Sequence, residues 1–369
     1  MEARSSKIDD NRQFLDVGQS AALGQPAGTP GAVTVTVIVP CRNEKEGIEQ
    51  CLRSILSLEE PPGGFEVIVA DGGSEDGTRQ ALDRIAREDA RLTVIDNPQR
   101  TTASGLNAAI RRAGGRHIAI MGAHNRYAKD YLCRALETLE QSGADNVGGT
   151  MTCEGKTWIQ KAIAAAHHSA FAVGGARWHR LDYEGPADTV FGGVYRREVF
   201  DRVGLFDEEL VRNQDDEFNL RLIRAGGRIW HSRSVRSWYT PRGSLRGLWR
   251  QYEQYGYWKV RVIQKHRLPA SVRHLIPGLF VSTLSALLLS GFVWRGGFVA
   301  AGALAGIYLA SNLLAAVVTA SRRGWRLLPV LPFVFACYHL SYGTGFVRGV
   351  WDFVVMRRGS RLRFAQLTR

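Results

Sequence analysis

A chain of 369 residues is long enough for one large domain plus an appendage, or for two domains, so a packed core is within reach. Its net charge of +13 favours an anionic partner, whether a membrane surface, a nucleic acid or a phosphorylated substrate, without choosing among them. Five cysteines, Cys41, Cys51, Cys133, Cys153 and Cys337, show neither zinc-finger nor Cys-x-x-Cys spacing, which argues against disulfides and suits thiols in a reducing compartment.

Residues 1–32 are polar and rich in glycine and proline. They lack the basic-then-apolar build of a signal peptide, and a disordered tail is expected. Val33 to Val39 (VTVTVIV) is rich in β-branched residues and stops at Pro40, which predicts a buried strand feeding the loop Cys41-Arg42-Asn43-Glu44. Glu46 to Leu58 then spaces Ile48, Cys51, Leu52, Ile55, Leu56 and Leu58 as a helix does. The unit recurs: strands are predicted at Phe65 to Ala70, Leu92 to Ile95 and His117 to Met121, with a helix at Ala103 to Arg112. Strands alternating with helices at this pace predict βαβ units and a mainly parallel sheet covered on both faces.

In such sheets ligands bind beyond the carboxyl ends of the strands. The first strand delivers Arg42, Asn43 and Glu44 there, the second Asp71, and the fourth Gly122, Ala123, His124 and Asn125. Asp71-Gly72-Gly73 alone would be an ordinary turn. Beside a strand-end Asn-Glu pair and a strand-end His it reads better as a nucleotide site, where carboxylates meet base and ribose and backbone N–H groups meet phosphate. No Gly-x-Gly-x-x-Gly follows the first strand and no Walker lysine motif occurs, which disfavours a dinucleotide enzyme or a P-loop ATPase.

Arg212 to Arg221 (RNQDDEFNLR) places Asp215, Asp216 and Glu217 at the start of a helix that ends at Gly226-Gly227. Carboxylates in a first helical turn face the positive end of the backbone dipole, so one or two have a bland explanation. A third loads the site with like charge unless a cation or a proton-accepting role balances it. On this stretch alone a solvated helix start and a catalytic base are level. His167 and His168, in a small-residue helix spanning Trp158 to Val173, read as packed histidines rather than ligands.

Leu275 to Trp294, Gly296 to Ser321 and Leu327 to Val347 carry no charged residue, and each reaches the roughly 20 residues needed to cross a hydrocarbon core. An integral membrane protein is predicted. Leu245 to Ile263 mixes aromatics with Arg and Lys just before these runs and reads as a helix lying in the membrane interface. The basic residues crowd around the apolar runs, which suits anionic lipid and demotes nucleic acid as a partner. Keeping Lys and Arg inside puts the catalytic domain and the C-terminus on the cytoplasmic side of the inner (plasma) membrane in a multi-pass arrangement. To do so the third run, with Pro329, Pro332, Gly343 and Gly345, would enter and turn back or pair with Val350 to Met356 as a hairpin; a plain third crossing is the alternative. The expected domains are a tail at 1–32, the α/β domain at 33–245, an interfacial segment at 246–273, a membrane region at 274–356 and a basic tail at 357–369.

VTVIVPCRNEKEGIEQCLRSI, EVIVADGGSEDGT, ASGLNAAI and FGGVYRREVFDRVGLFDEELVRNQDDEFNLRL together resemble family 2 glycosyltransferases, within them the membrane-bound succinoglycan glucosyltransferase ExoA-like group, over about Val33 to Lys265. The resemblance implies a GT-A fold, a nucleotide-sugar donor, a divalent cation (Mg or Mn) and inverting transfer to an acceptor, the candidates being lipid-linked saccharides of exopolysaccharide or cell-envelope synthesis. Carried over, Pro40, Asn43, Glu44 and Asp71 would line the nucleoside pocket, and Gly105 and Asn107 would approach the donor. Asp215 would be the general base, with Asp216 and Glu217 as second choices. Gly192 and Gly193 would border the acceptor, and Gln251, Tyr255 and Trp258 stand near a partial match to the Gln-x-x-Arg-Trp motif of processive relatives, which favours single addition. His124 would be the metal ligand that remains, since the usual Asp-x-Asp reads Gly122-Ala123-His124, and the cation would be weakly held. A silent membrane scaffold that lost metal binding with that aspartate is the alternative.

Overall fold

A computed structural model describes residues 33–269, 271–360 and 362–365, and the tail expected at 1–32 lies outside them. In chain order the elements are β1 (Val35–Cys41), α1 (Ile48–Leu56), β2 (Phe65–Asp71), α2 (Thr78–Glu88), β3 (Leu92–Asp96), α3 (Thr102–Arg112), β4 (His117–Ile120), β5 (Asn125–Tyr127), α4 (Tyr131–Ser142), β6 (Asn146–Cys153), α5 (Trp158–His167), α6 (Ala170–Val173), β7 (Gly185–Pro186), β8 (Phe191–Arg196), α7 (Glu198–Val203), α8 (Gln214–Arg224), β9 (Ile229–Tyr239), α9 (Leu245–His266), α10 (Ile276–Ser290), α11 (Gly296–Arg323), α12 (Leu331–Ala336), α13 (Tyr342–Gly349) and α14 (Leu362–Ala365).

The sheet runs β3-β2-β1-β4-β8-β6-β9-β5, with β7 pairing β9 off this path. β1 to β4 are mutually parallel, β8 lies antiparallel between β4 and β6, and β9 is parallel to β6. The β-branched run of β1 is continuous because both its faces are covered. Val35, Val37 and Val39 pack with α1, α2 and α4 on one side, while Ile38 joins Ile68, α3, α7 and α8 on the other. Pro40 lies past Ile38, the last residue of β1 that pairs with β4, so the strand carries it through to Cys41. The single helix expected at Trp158 to Val173 is two helices: α5 starts on a Thr157–Gln160 capping box, and Ser169 breaks the run by accepting from the Phe171 N–H to start α6.

Two helical stretches, Val272–Ser290 and Gly296–Arg323, are long and apolar enough to cross a membrane, and only 11% and 17% of their most apolar windows are buried. The third apolar run behaves otherwise. From Leu331 to Val355 the backbone stays helical through two π-helical turns at Cys337–Ser341 and Val350–Val355, so it neither turns back nor forms the hairpin expected at its glycines. Those glycines serve close packing. A Cβ on Gly345 would lie 2.0 Å from the Glu253 carbonyl oxygen, and one on Gly256 would lie 2.0 Å from that of Tyr342. Further along, Gly349 meets Tyr257, and Gln264 donates to the Phe353 carbonyl at 3.0 Å, so this run lies parallel along α9. As a result α9 is enclosed rather than laid open: Tyr257, Trp258, Val260 and Val262 are buried with Phe353 and Phe364.

Candidate active site

The loops after β1 and β2 are zipped together by their own polar groups. The Asn43 N–H donates to Ser74 Oγ (2.9 Å), the Glu75 N–H donates to Asn43 Oδ1 (2.9 Å), and the Glu44 N–H donates to Thr78 Oγ1 (2.7 Å). Asn43 adopts a left-handed backbone (φ 55°) to make this turn. Asp71, buried at the end of β2, accepts from Ser74 Oγ (2.6 Å) and lies 3.7 Å from Arg79. Pro40 precedes this turn in β1, opposite Ala70. The strand-end residues singled out for nucleotide binding therefore form one hydrogen-bonded rim, in which Asn43 and Asp71 shape the loops.

Two of the donor-side expectations fall on residues that are engaged within the fold. Asn107 is buried and spends its amide on the loop before α8, donating to the Phe206 carbonyl and Glu208 (both 2.8 Å) and accepting from the Phe206 N–H (2.9 Å). Gly105 packs against Asn97 and Ala70, where an added Cβ would meet Asn97 Nδ2 at 2.9 Å. Both pack α3 against its neighbours. Trp258 is buried, and its indole donates to the Phe364 carbonyl (3.0 Å).

His124 follows β4, its Nδ1 lying 3.7 Å from Glu44 Oε1 and its ring 5.7 Å from that of Tyr239. Loss of hydration, then the charges of Arg242 and Arg212, pull its pKa down to about 4, so the imidazole is neutral with the lone pair of one ring nitrogen to offer. Among the described residues no three His, Cys, Asp or Glu side chains come together as a metal cage. A neutral imidazole and a carboxylate nonetheless fit a cation that draws its remaining ligands from phosphate and water.

The three acids of α8 separate cleanly. Glu217 is wholly buried and paired with Arg221 (2.9 Å), His266 (3.0 Å) and Lys265 (3.3 Å). Asp216 is bonded by the buried Lys259; burial works against its charge, but Lys259 and His274 outweigh it and hold its pKa low. Both second choices for the base are thus neutralised. Asp215 differs: it reaches solvent, no cation lies within ion-pair distance among the described residues, and partial loss of water together with Asp216 raises its pKa to about 6. The helix start is set by Asn213, which holds a left-handed conformation (φ 62°) and donates from Nδ2 to the Tyr255 carbonyl at 2.9 Å.

Sequence reasoning missed the two arginines that complete this surface. Arg212 Nε donates to Gln254 (3.2 Å) while its guanidinium lies 5.6 Å from the Tyr255 ring centre, and Arg242 Nε donates to Gln251 (3.1 Å). Gln251 Nε2 in turn donates to Tyr255 Oη (3.0 Å). Gln251 and Tyr255 therefore act as supports for the arginines. Arg212 heads the acidic stretch and Arg242 sits in Pro241-Arg242-Gly243 before α9, but nothing in their spacing joins them to His124. Gly192 and Gly193 lie inside β8: Gly192 (φ 62°) accepts from Tyr131 Oη at 2.6 Å, and the neighbouring Phe191 ring is 6.4 Å from Tyr239. His167 and His168 are packed, with Tyr338 Oη and the Cys153 N–H as partners (3.3 and 3.2 Å).

A family profile described as Glycosyl transferase family 2 matches residues 36–204. The chain is similar to the Succinoglycan biosynthesis protein ExoA of Rhizobium meliloti (strain 1021), at 32% identity over 320 residues that cover 86% of this chain and 95% of the relative. It is also similar, at 24% identity over 85% of this chain and 98% of the relative, to the Dolichyl N-acetyl-alpha-D-glucosaminyl phosphate 3-beta-D-2,3-diacetamido-2,3-dideoxy-beta-D-glucuronosyltransferase of Methanococcus voltae. Among solved structures it is similar in fold to mannosyltransferase PcManGT from Pyrobaculum calidifontis, in complex with GDP-Man and Mn2+, with a TM-score of 0.54, 23% identity and coverage of 89% of this chain and 90% of that one.

Proposed function

The chain belongs to glycosyl transferase family 2 and is a glycosyltransferase, and we propose that it moves a sugar with inversion from a nucleotide-sugar donor to a lipid-linked saccharide at the membrane. The observation that carries the chemical part is the division of labour in α8: of Asp215, Asp216 and Glu217, Asp215 alone is left by its neighbours as a proton acceptor near neutral pH. The acceptor class is supported by the name of the Methanococcus voltae relative and by the two apolar helices beside the catalytic domain.

In this reading Asp215 removes the proton of an acceptor hydroxyl as that oxygen bonds to the anomeric carbon. The bond from that carbon to the donor's diphosphate oxygen breaks, and the electron pair leaves with the nucleoside diphosphate. Arg212 and Arg242 supply positive charge on the side where the diphosphate departs. His124 and Glu44 would hold a divalent cation, Mg or Mn, which when bound neutralises charge on the diphosphate. Asn43, Glu44 and Asp71 shape the rim that receives the nucleoside, while Pro40 sets its entry. The catalytic domain and the region after α11 lie on the cytoplasmic face of the inner membrane, with α10 and α11 crossing it.

The test is turnover by the purified full chain in detergent with a panel of nucleotide sugars, with and without divalent cation, and a polyprenyl-linked saccharide. Release of nucleoside diphosphate with one donor, accelerated by the acceptor and lost in Asp215→Asn, is the expected result. No release with any donor would overturn the reading.

A further inference from the structure

A cavity of about 770 Å3 opens between α9, the third apolar run and the chain near Phe364, outside the catalytic rim. Its wall combines two chemistries. Leu245, Trp249, Cys337 and Phe364 are apolar, and Cys337 belongs to the run that packs beside α11, where Asn312 donates to the Pro332 carbonyl at 3.1 Å. Arg246, Arg250 and Arg363 are cationic, against one carboxylate, Glu253. That carboxylate is already taken: it is buried, Arg363 bonds one oxygen at 2.7 Å and Arg348 the other. Among the described residues Arg246 and Arg250 have no acidic partner. Two adjacent guanidinium groups one helical turn apart, in a cavity with apolar walls, fit a ligand with an anionic end of more than one charge and a long hydrocarbon body.

We propose that this cavity holds the diphosphate and first isoprene units of a polyprenyl-diphosphate-linked acceptor, with Arg246 and Arg250 on the phosphates. The inference rests on the lipid-linked acceptor proposed for the catalytic site and adds where its lipid end is held. One side chain, Gln254, links the cavity to the arginine beside the catalytic site. Gln254 lines its wall and accepts from Arg212, whose charge bears on both His124 and Asp215. An acceptor anchored here by its phosphates presents its sugar end toward the base, and a hydrocarbon tail leaves along the apolar wall beside α11. The size suits the role, since cavities for ligands of this bulk run to several hundred Å3.

The test titrates the full chain, in phosphatidylcholine nanodiscs, with radiolabelled farnesyl diphosphate. Saturable binding is expected, displaced by unlabelled farnesyl diphosphate but not by farnesol, inorganic pyrophosphate or phosphatidylglycerol at the same concentration. Arg246→Ala with Arg250→Ala weakens it about a hundredfold, roughly tenfold for each charge-assisted contact, and Arg→Lys at both positions restores part of the loss. Both side chains are exposed, and an unchanged melting temperature confirms the fold of the variant. Equal displacement by phosphatidylglycerol would mean a site for bulk anionic lipid, displacement by pyrophosphate a plain phosphate site, and unchanged affinity in the double variant no site at all; each overturns the proposal. Donor turnover is measured in the same samples. Its absence from the unaltered protein would fall on the functional reading, whereas turnover retained with farnesyl diphosphate binding unaffected by the substitutions would fall on the cavity alone.

Discussion

Lys259 of α9 bonds Asp216 of α8, and that pairing is what separates two adjacent carboxylates and favours Asp215 as the proposed base. The lysine is 3% exposed in its side chain, so its charge is directed at Asp216 rather than shared with water, and Asp215 is left to carry the cost of a like-charged neighbour. In the proposed mechanism, a helix that joins the catalytic domain to the apolar segments thereby sets the proton chemistry.

Replacing Asp215 by Asn removes the proposed base while keeping its shape. Transfer is expected to fall by about 100-fold to 10,000-fold, with nucleotide affinity nearly unchanged, because the group acts on the acceptor in the transition state. The fold should melt no lower than the parent: a carboxylate whose pKa rises on folding loses stability as pH climbs from its ordinary range towards about 6, and Asn escapes that loss. Steady-state kinetics, nucleotide titration and a thermal melt check the three parts, and equal loss of donor binding would reassign Asp215 to the donor or metal.

The pH profile depends on the same group. Asp215 accepts a proton only when ionised, so kcat/KM should fall tenfold per unit as pH drops below about 6 and level off above it. Asp216→Asn removes the negative neighbour and leaves Lys259 unpaired, and both changes favour the Asp215 anion. The acid limb should move to lower pH. A limb that stays in place or moves upward would contradict the assignment.

Much of this was legible in the chain and some was not. β1 and β2 announce themselves because Val and Ile on both faces admit only a buried strand, and the acids of α8 are visible as a group. What separates those acids is their partners: Lys259 comes from 43 residues beyond Asp216, and the loop that occupies Asn107 lies about 99 residues away. Local periodicity carries no trace of pairings at that range. The third apolar run misled for a related reason, since Gly343, Gly345 and Gly349 can allow a turn or a close helix contact, and only α9 lying alongside decides between them.

The Lys259–Asp216 pair itself makes an energetic prediction. Lys259→Met leaves Asp216, 24% exposed in its side chain, without its cation and should cost about 1–3 kcal/mol, whereas Lys259→Met with Asp216→Asn should cost less. Denaturant titration of the single and double variants closes the cycle. Additive losses would show that the two side chains do not depend on each other.

Gly122 has a neighbour that stands in the way of restoring an aspartate. A Cβ there would lie 2.4 Å from Asn125 Nδ2, and Asn125 is buried with its amide on Tyr127 Oη (3.3 Å). Gly122→Asp alone should therefore destabilise the fold, by about 1–3 kcal/mol as overpacking does, and should not by itself tighten a cation. Adding Asn125→Ala opens the space, and the cation concentration for half-maximal activity should then drop. Tight cation dependence in the single variant at full stability would show that Asn125 is no obstacle.

The arrangement of the apolar helices predicts how the chain meets the membrane. Val272–Ser290 and Gly296–Arg323 present Leu279, Leu289, Val299, Ile307 and Leu314 outward, and two crossings return the chain to the side it left. Beyond them the run from Leu331 lies against α5 and α9 of the catalytic part, and Phe364 is packed on Tyr257, so the described chain beyond α11 stays with the catalytic domain. Arg322, Arg323 and Arg326 gather at that return while Arg295 alone marks the far turn, the bias that keeps basic residues in the cytoplasm. Val293, 94% exposed in the turn between the helices, and Ser321 are the places to ask. Val293→Cys should react with an impermeant thiol reagent on intact cells, and Ser321→Cys only after the membrane is opened, each compared with the unsubstituted protein. Labelling of both from outside, or of position 321 alone, would rule out the two-crossing arrangement.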